Sequence, residues 1–450
     1  MAELKVPSEY ATIATAISAA ASGDAIVLAG GTYTEFINLT AKSNIVLRAA
    51  LGETVTINCV LNSDIAVNLN SSSNITLRGI NFVLTGGTMG SIVQGTTVTS
   101  PKFIECTFDT SAVLGADIAD AHILLSLVSS SSTNPVIVSR CKFMGPGSSA
   151  TADAAISVTG NGALYCLVES CLFKQVVTSG GSTDAVIKVT ATSSGSVTVI
   201  RNNTLVSCRL YTRGIYANFS SATGTALIYN NLIDETVVTT PLGGSPVIGI
   251  TAGGGTLRIR HTRYYHGTTG TSLGASQVYS TAYYDGANCL VNSDPDVDTT
   301  TGRITTTSPA YRGGAATIST ERAARMGLDR LAFYSTPSQG CFEPSSGVQA
   351  LHVRHAFTNP LSGLTVTHGS LLTLSGTAQA FDDPFELAKF VEISVQDAKH
   401  DTCPFEFWYE AGASHRYRAA VYQGTFSLTT GGIAGTIMGS ATFSSVSDTG

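Results

Sequence analysis

One unit recurs along the first three-quarters of the chain, and its period constrains the fold more than any other feature. Its clearest copy is Asn74-Ile75-Thr76-Leu77-Arg78-Gly79-Ile80-Asn81-Phe82, and related copies close on Phe108, Phe143, Phe173, Leu205, Ile233 and Tyr264. These closing residues are 26, 35, 30, 32, 28 and 31 positions apart, so loops of varying length are spliced into a rhythm of about thirty. Within each copy apolar residues alternate over four or five positions, then comes a bend, then one or two more apolar residues. Alternation is the period of a strand, and a repeat of this length made of strands without helices is a stacked β-solenoid. One coil alone leaves its backbone donors and acceptors unpaired. Coils stacked at about 4.8 Å pair them and create a continuous interior.

Stacking in register turns each repeat position into a column. Two residues before the closing residue stand Ile80, Cys106, Cys141 and Cys171, then Asn203, Asn231 and Thr262. We read this column as small side chains stacked at the bend, packed or amide-paired and not reactive. A second column is acidic: Asp120, Asp153 and Asp184 each stand three residues before an isoleucine (Ile123, Ile156, Ile187), and Thr212 and Ser245 continue the position. Three carboxylates on adjacent rungs would repel one another, raise a pKa or recruit a cation, which points to a calcium site or the acidic lining of a sugar groove. The competing reading is that Asp, Thr and Ser are turn residues capping the strand entry. His122 shares the coil of Asp120 and is read as packing.

Only 12% of the 450 residues are charged, against about 25% for an ordinary soluble domain. The net charge is −6 and Lys and Arg form no cluster, so nucleic acid is excluded as a partner on this reading. No apolar run reaches the roughly eighteen residues of a membrane span. The first residues lack a signal-peptide core, so folding in a cytoplasm is expected. Nine scattered cysteines, an odd number, argue against a fixed disulfide framework.

At the N-terminus Tyr10, Ile13, Ile17 and Ala20 share one face of an amphipathic helix over 8–22, with Ser8 as N-cap and Gly23 as stop. Tyr10 to Ile17, then Gly23-Asp24, then Gly31-Thr32-Tyr33-Thr34-Glu35, resembles the N-terminal signature of the pectin-lyase-like right-handed parallel β-helix superfamily. Val291 to Pro295, Ser308-Pro309-Ala310 and Gly340-Cys341-Phe342-Glu343 are similar to the last coils of its members. The resemblance covers residues 5–343 and implies a helix plugging the open end of the tube. It leaves function open, because this superfold hosts lyases, hydrolases, epimerases, adhesins and phage tailspikes.

The expected architecture is all-β: an N-terminal cap over 1–42, parallel β-helix coils over 43–298, an exit cap and linker over 299–346, and an antiparallel β-sandwich or barrel over 347–450. In the last part short alternating segments are separated by turns, and the aromatic residues cluster around the sole tryptophan, Trp408.

The signatures of the superfamily's galacturonases and lyases are absent from the sequence. Adjacent acids occur at Asp234-Glu235 and Asp382-Asp383, the first pair expected at a solvated bend, and Arg258, Arg260 and Arg263 suggest contact with an acidic polymer or a neighbouring subunit. Two functions are therefore carried forward. One is a non-catalytic structural or adhesive component of a phage-type virion, made in the host cytoplasm and partnered by copies of itself and other virion proteins. The other is a tailspike-type polysaccharide depolymerase acting on a surface glycan through Asp120, Asp153 and Asp184.

Overall fold

In the computed structural model the described residues are 2–59, 65–86, 89–112, 118–146, 154–178, 183–210, 213–219, 223–234, 237–238, 246–252, 255–265, 278–279, 289–291, 294–298, 301, 303–304 and 308–310, with nine strands beyond them. The chain divides into two compact units, Met1–Arg330 with Tyr334–Pro344, and Leu331–Phe333 with Ser345–Gly450.

The first unit is a parallel β-solenoid with almost no helix, built from three sheets of ten, eight and ten strands. Sheet A runs from Glu3–Val6 to Gly255–Arg260, sheet B from Gly31–Tyr33 to Leu290–Val291, and sheet C from Ile37–Asn38 to Ile248–Ala252. The chain visits A, then B, then C in each coil, as in Lys102–Ile104, Thr107–Asp109 and Ile118–Val128. Neighbouring rungs pair in parallel throughout.

The repeat positions stack as the sequence rhythm requires. Phe82, Phe108, Phe143, Phe173, Leu205, Ile233 and Tyr264 are directly paired on consecutive rungs of sheet B. The four phenylalanine rings lie nearly parallel, with centroids 5.3, 4.9 and 4.8 Å apart. That offset stacking adds to the burial of each ring.

The bend between sheets A and B is made by one residue in the left-handed conformation. It is Gly79 (φ 65°), Glu105 (58°), Arg140 (56°), Ser170 (54°), Asn202 (55°), Asn230 (55°) and His261 (43°). Such a conformation is uncommon outside glycine and asparagine, yet the stack supports it. The amides of Glu105, Arg140 and Ser170 donate to Ser139 O, Glu169 O and Arg201 O of the next rung, at 3.0, 3.1 and 3.1 Å.

The residue after it belongs to the cysteine and asparagine column, which is buried on successive rungs. Its members share one task. The thiols of Cys106, Cys141 and Cys171 each lie between two carbonyls, 3.4, 3.5 and 3.6 Å from Leu77 O, Phe103 O and Val138 O of the preceding rung and 3.5, 3.4 and 3.2 Å from Ile104 O, Ser139 O and Glu169 O of their own. Asn203 Nδ2 and Asn231 Nδ2 donate to Val168 O and Ile200 O, the next carbonyls of the same row, at 3.1 and 3.0 Å. The amide oxygens add a second bond that thiols do not supply: Asn203 Oδ1 accepts from Cys171 N and Asn231 Oδ1 from Asn203 N. Burial raises the Cys106 and Cys141 thiols well above their ordinary range, so both stay protonated donors.

At the N-terminal end helix α1 (Ile13–Ala19) buries Ile13, Ala16 and Ile17. It starts later than the sequence suggested, with Thr12 and not Ser8 as N-cap, because Thr12 and Thr15 form a reciprocal capping box. The signature residues tie this end together. Glu35 accepts from the Ile13 and Ala14 amides at 3.2 Å each, placing negative charge at the helix start. Asp24 accepts from Ala2 N and Ala21 N at 2.7 and 3.0 Å, and Tyr33 Oη donates to Ala29 O at 2.9 Å.

At the other end the chain turns back over the outside of sheet B. Val297, Ile304 and Ala310 pack on Leu172, Val206 and Leu232, and Arg263 Nη2 donates to Pro309 O at 2.8 Å. On earlier rungs the outward column reads Thr32, Thr56, Asn81 and Thr107, all at least partly exposed.

In the second unit His352–His355, Phe390–Gln396, Thr402–Glu410, Arg416–Val421 and Asp448–Thr449 form a five-stranded antiparallel sheet, alongside two two-stranded pairs. The side chains around Trp408 lie outside the described residues.

The asparagine bonds give a direct test. Asn203→Leu leaves the buried Cys171 amide without its acceptor and removes two donated bonds. A loss of about 1–3 kcal/mol is expected for each buried group left unpaired, read as a lower denaturation midpoint. Asn81→Leu, on the partly exposed outward column, should change the midpoint by less than about 0.5 kcal/mol.

Candidate functional site

The outward faces of the solenoid hold the candidate chemistry. On sheet C, Lys188, Tyr216 and Gly249 occupy one outward column. The Arg213 guanidinium lies 4.2 Å from the centre of the Tyr216 ring. Tyr216 Oη and Thr251 Oγ1 share a hydrogen bond of 3.0 Å. Gly249 leaves room for the Arg213 side chain, since a Cβ there would come within 3.0 Å of Arg213 Nε and shift it by a few tenths of an ångström. Burial pulls the Arg213 pKa below its ordinary value, opposed by Tyr216 and Asp184.

Asp184 stands at the entry of this strand, buried, with its carboxylate 3.9 Å from Lys188 Nζ. Of its expected companions Asp120 is exposed, and Asp153, Thr212 and Ser245 lie outside the described residues. The isoleucines that aligned them do stack, Ile123 on Ile156 on Ile187. Among the described residues no group of three His, Cys, Asp or Glu side chains is placed to hold a metal ion.

A second constellation lies on the outward end of sheet A, where Ser139, Glu169, Arg201 and Tyr229 are paired rung on rung. Arg201 Nε and Nη2 both meet Glu169 Oε2, at 2.9 and 2.8 Å, Arg201 Nη1 donates to Tyr229 Oη at 3.0 Å, and Ser139 Oγ donates to Glu169 Oε1 at 3.2 Å. All four are buried. Burial pushes the Tyr229 hydroxyl up to about 12, Arg201 lowering and Glu169 raising it further. The sequence reading missed this cluster. Its signal was present: each member stands four residues before a closing residue of the repeat.

The remaining sequence candidates separate. Arg258 and Arg260 are exposed on the last strand of sheet A, whereas Arg263 is buried against Pro309. Asp234, expected at a solvated bend, is buried instead, on the sheet B strand Leu232–Asp234, where it pairs with the buried Val206. Glu235 and the pair Asp382-Asp383 lie outside the described residues.

Chemically, a glycoside hydrolase needs two carboxylates about 5–9.5 Å apart across one bond. Among the described residues the sheet C cluster supplies one, already facing a lysine. Asp184, Arg213 and Tyr216 are buried, so Lys188 and Thr251 are the members of this cluster that reach solvent. No described helix is long and apolar enough to cross a membrane. Compared with protein-family models, curated proteins and solved structures, the chain finds no match in any of the three.

The sheet A cluster gives an energetic test. Arg201→Met strands the Glu169 carboxylate in a buried site and should cost about 3–5 kcal/mol. The double variant Arg201→Met, Glu169→Leu should recover most of that loss, and a double-mutant cycle of denaturant midpoints checks both.

Proposed function

We propose that the chain is a structural or adhesive component of a phage-type virus particle, with the solenoid as its rigid rod. The observation that carries this reading is the unbroken parallel register, ten rungs long in two of the three sheets. A tube bonded rung to rung, with its bends held by buried side-chain hydrogen bonds, keeps its shape under load. Low charge density suits extended contact with other copies of the chain. The resemblance of the N-terminal signature and last coils to the right-handed parallel β-helix superfamily, which includes phage tailspikes, supports the same assignment.

On this reading the strands beyond residue 347 form a compact β-sandwich or barrel. It anchors the rod or joins it to its copies, with cyclic symmetry. The partners are other virion proteins and, for an adhesive rod, a surface glycan. Electron microscopy of intact particles bearing a label on this chain should find the label at a fixed place on the particle. A purified protein that stays a stable monomer and joins no particle would sink the proposal.

One observation favours the depolymerase reading: Asp184, Lys188, Arg213 and Tyr216 meet on an outward sheet face. There Asp120, Asp153 and Asp184 would act on the glycan or share a calcium ion. Reducing-end and unsaturated-uronate assays on host surface glycans decide it. Cleavage falling about a hundredfold or more in Asp184→Asn supports the enzyme, and a protein inert on every glycan supports the rod.

A further inference from the structure

We propose that Asn161 is a site of spontaneous deamidation, at which the Gly162 nitrogen closes a ring on the Asn161 side chain and water reopens it as aspartate or isoaspartate. The proposal does not depend on whether the tube is a rod or an enzyme.

Asn161-Gly162 is the sole Asn-Gly pair among the 450 residues. It lies in the turn that leaves the sheet C strand Ala154–Gly160 and enters the sheet A strand Tyr165–Glu169. The ends of this turn are tied down. Gly160 O accepts from Thr192 Oγ1 at 2.7 Å, Asn161 N donates to Val128 O at 2.8 Å, and Leu164 N donates to Ser196 Oγ at 3.0 Å. Between those anchors the two reacting groups are unengaged. Neither the Asn161 carboxamide nor the Gly162 N–H has a hydrogen-bond partner among the described residues. Asn161 is exposed. Gly162 has φ 129° and open space where a Cβ would stand, so no side chain screens its nitrogen.

The chemistry needs water and no other reagent. The Gly162 N–H gives its proton to solvent and the nitrogen attacks Asn161 Cγ. A C–N bond forms, the Cγ–Nδ2 bond breaks, and the leaving nitrogen takes up a proton to depart as ammonia. One water then opens the five-membered imide at either carbonyl. Opening at one gives an ordinary aspartyl link, and opening at the other routes the main chain through Cβ and Cγ. Nothing is oxidised or reduced. The nucleophile is the deprotonated nitrogen, so the rate rises with pH.

Two asparagines on the same corner of earlier coils show what protects such a side chain. Asn38 is followed by Leu39, whose N–H donates to Asn68 O at 2.8 Å, and Asn70 by Ser71, whose N–H donates to Thr96 O at 2.9 Å. Their carboxamides are engaged as well: Asn38 Oδ1 accepts from Thr40 N, and Asn70 Oδ1 from Thr96 N. Attack at either requires a rung to open first, whereas attack by Gly162 breaks no hydrogen bond.

The product changes the surface on which it forms. On this corner Ser43, Ser73, Thr99 and Ser129 bridge from rung to rung. No acidic residue occurs in the corner segments 39–44, 69–74, 96–101, 126–135 and 191–196. Deamidation gives this uncharged edge a carboxylate. The isoaspartyl form also adds one carbon to a turn whose ends the neighbouring rungs hold in place.

Incubation of the whole folded chain in water enriched in heavy oxygen, at pH 6 and pH 8.5, tests the proposal. Peptide mapping in ordinary water follows, so that only rings opened during the incubation carry the label. Labelling at Asn161 should be faster at the higher pH and stay within about tenfold of its rate in the denatured chain, while folding slows Asn38 and Asn70 by more than about tenfold. Asn161→Gln, which would need a six-membered ring, should lack the acidic species that accumulates in the wild type on anion exchange. Asn161 slowed by folding as much as Asn38 overturns the site, as does an acidic species that accumulates equally in the variant. If the variant does not fold, the comparison of folded and denatured wild type decides alone.

Discussion

In a stack of parallel coils every backbone amide and carbonyl on a rung is satisfied by the rungs above and below. This requirement holds the rest of the structure in place. It restrains the register, which runs without shifts through sheets A and B and shifts in sheet C only at Met89/Ser91 and Leu125/Val128, so most side chains sit on the residue at the same repeat position in the next coil. Any residue type chosen at a position must therefore tolerate its neighbours in the column. Phenylalanines tolerate one another by stacking at about 5 Å, and cysteines and asparagines by donating to one row of carbonyls. Opposite charges pair across the outward faces, as where Arg78 and Arg140 flank Glu105 at 3.1 and 3.3 Å and Arg201 lies on Glu169, while Arg48 and Arg78 stand on consecutive rungs with Arg48 turned to Glu3 and Arg78 to Glu105.

The column logic also explains which features could be read from the chain alone. The closing residues from Phe82 to Tyr264 announce themselves because burial permits only a few large apolar types, and their spacing yields the tube. The cysteine and asparagine column was legible as a column, while its task was not: a thiol and an amide look unrelated until both are seen reaching the same carbonyls. The bend residue was illegible. Glu105 and Arg140 have no preference for the left-handed conformation, and they adopt it because the rungs on either side hold the backbone there.

The candidate sites follow the same division. Aligning acids by their distance to an isoleucine found Asp184 but not Lys188 four residues along the chain, nor Arg213 and Tyr216, which share the next strand and come beside it only when the rungs stack. The Glu169, Arg201 and Tyr229 cluster mixes an acid, a base and an aromatic at one position, so similarity of residue type, the usual mark of a repeat, conceals it. Asp234 was misread for a different reason. Two adjacent acids at the end of a repeat look like a solvated bend, whereas Asp234 continues the strand and is paired with Val206 of the preceding rung.

The returning segment divides the tube into two stretches with different freedom to evolve. Beside Thr32, Thr56, Asn81 and Thr107 sheet B shows a hydroxyl-rich flank that no described segment depends on, so a duplicated coil there would lengthen the tube and leave its flank water-compatible. Beside Leu172, Val206 and Leu232 the flank is covered, Val297 packing on Leu172 and Val206, and Ile304 and Ala310 on Leu232. An extra coil inserted there would slide the two out of step and bare a strip of leucine and valine. Growth in length is thus open near the start of the tube and closed near its end.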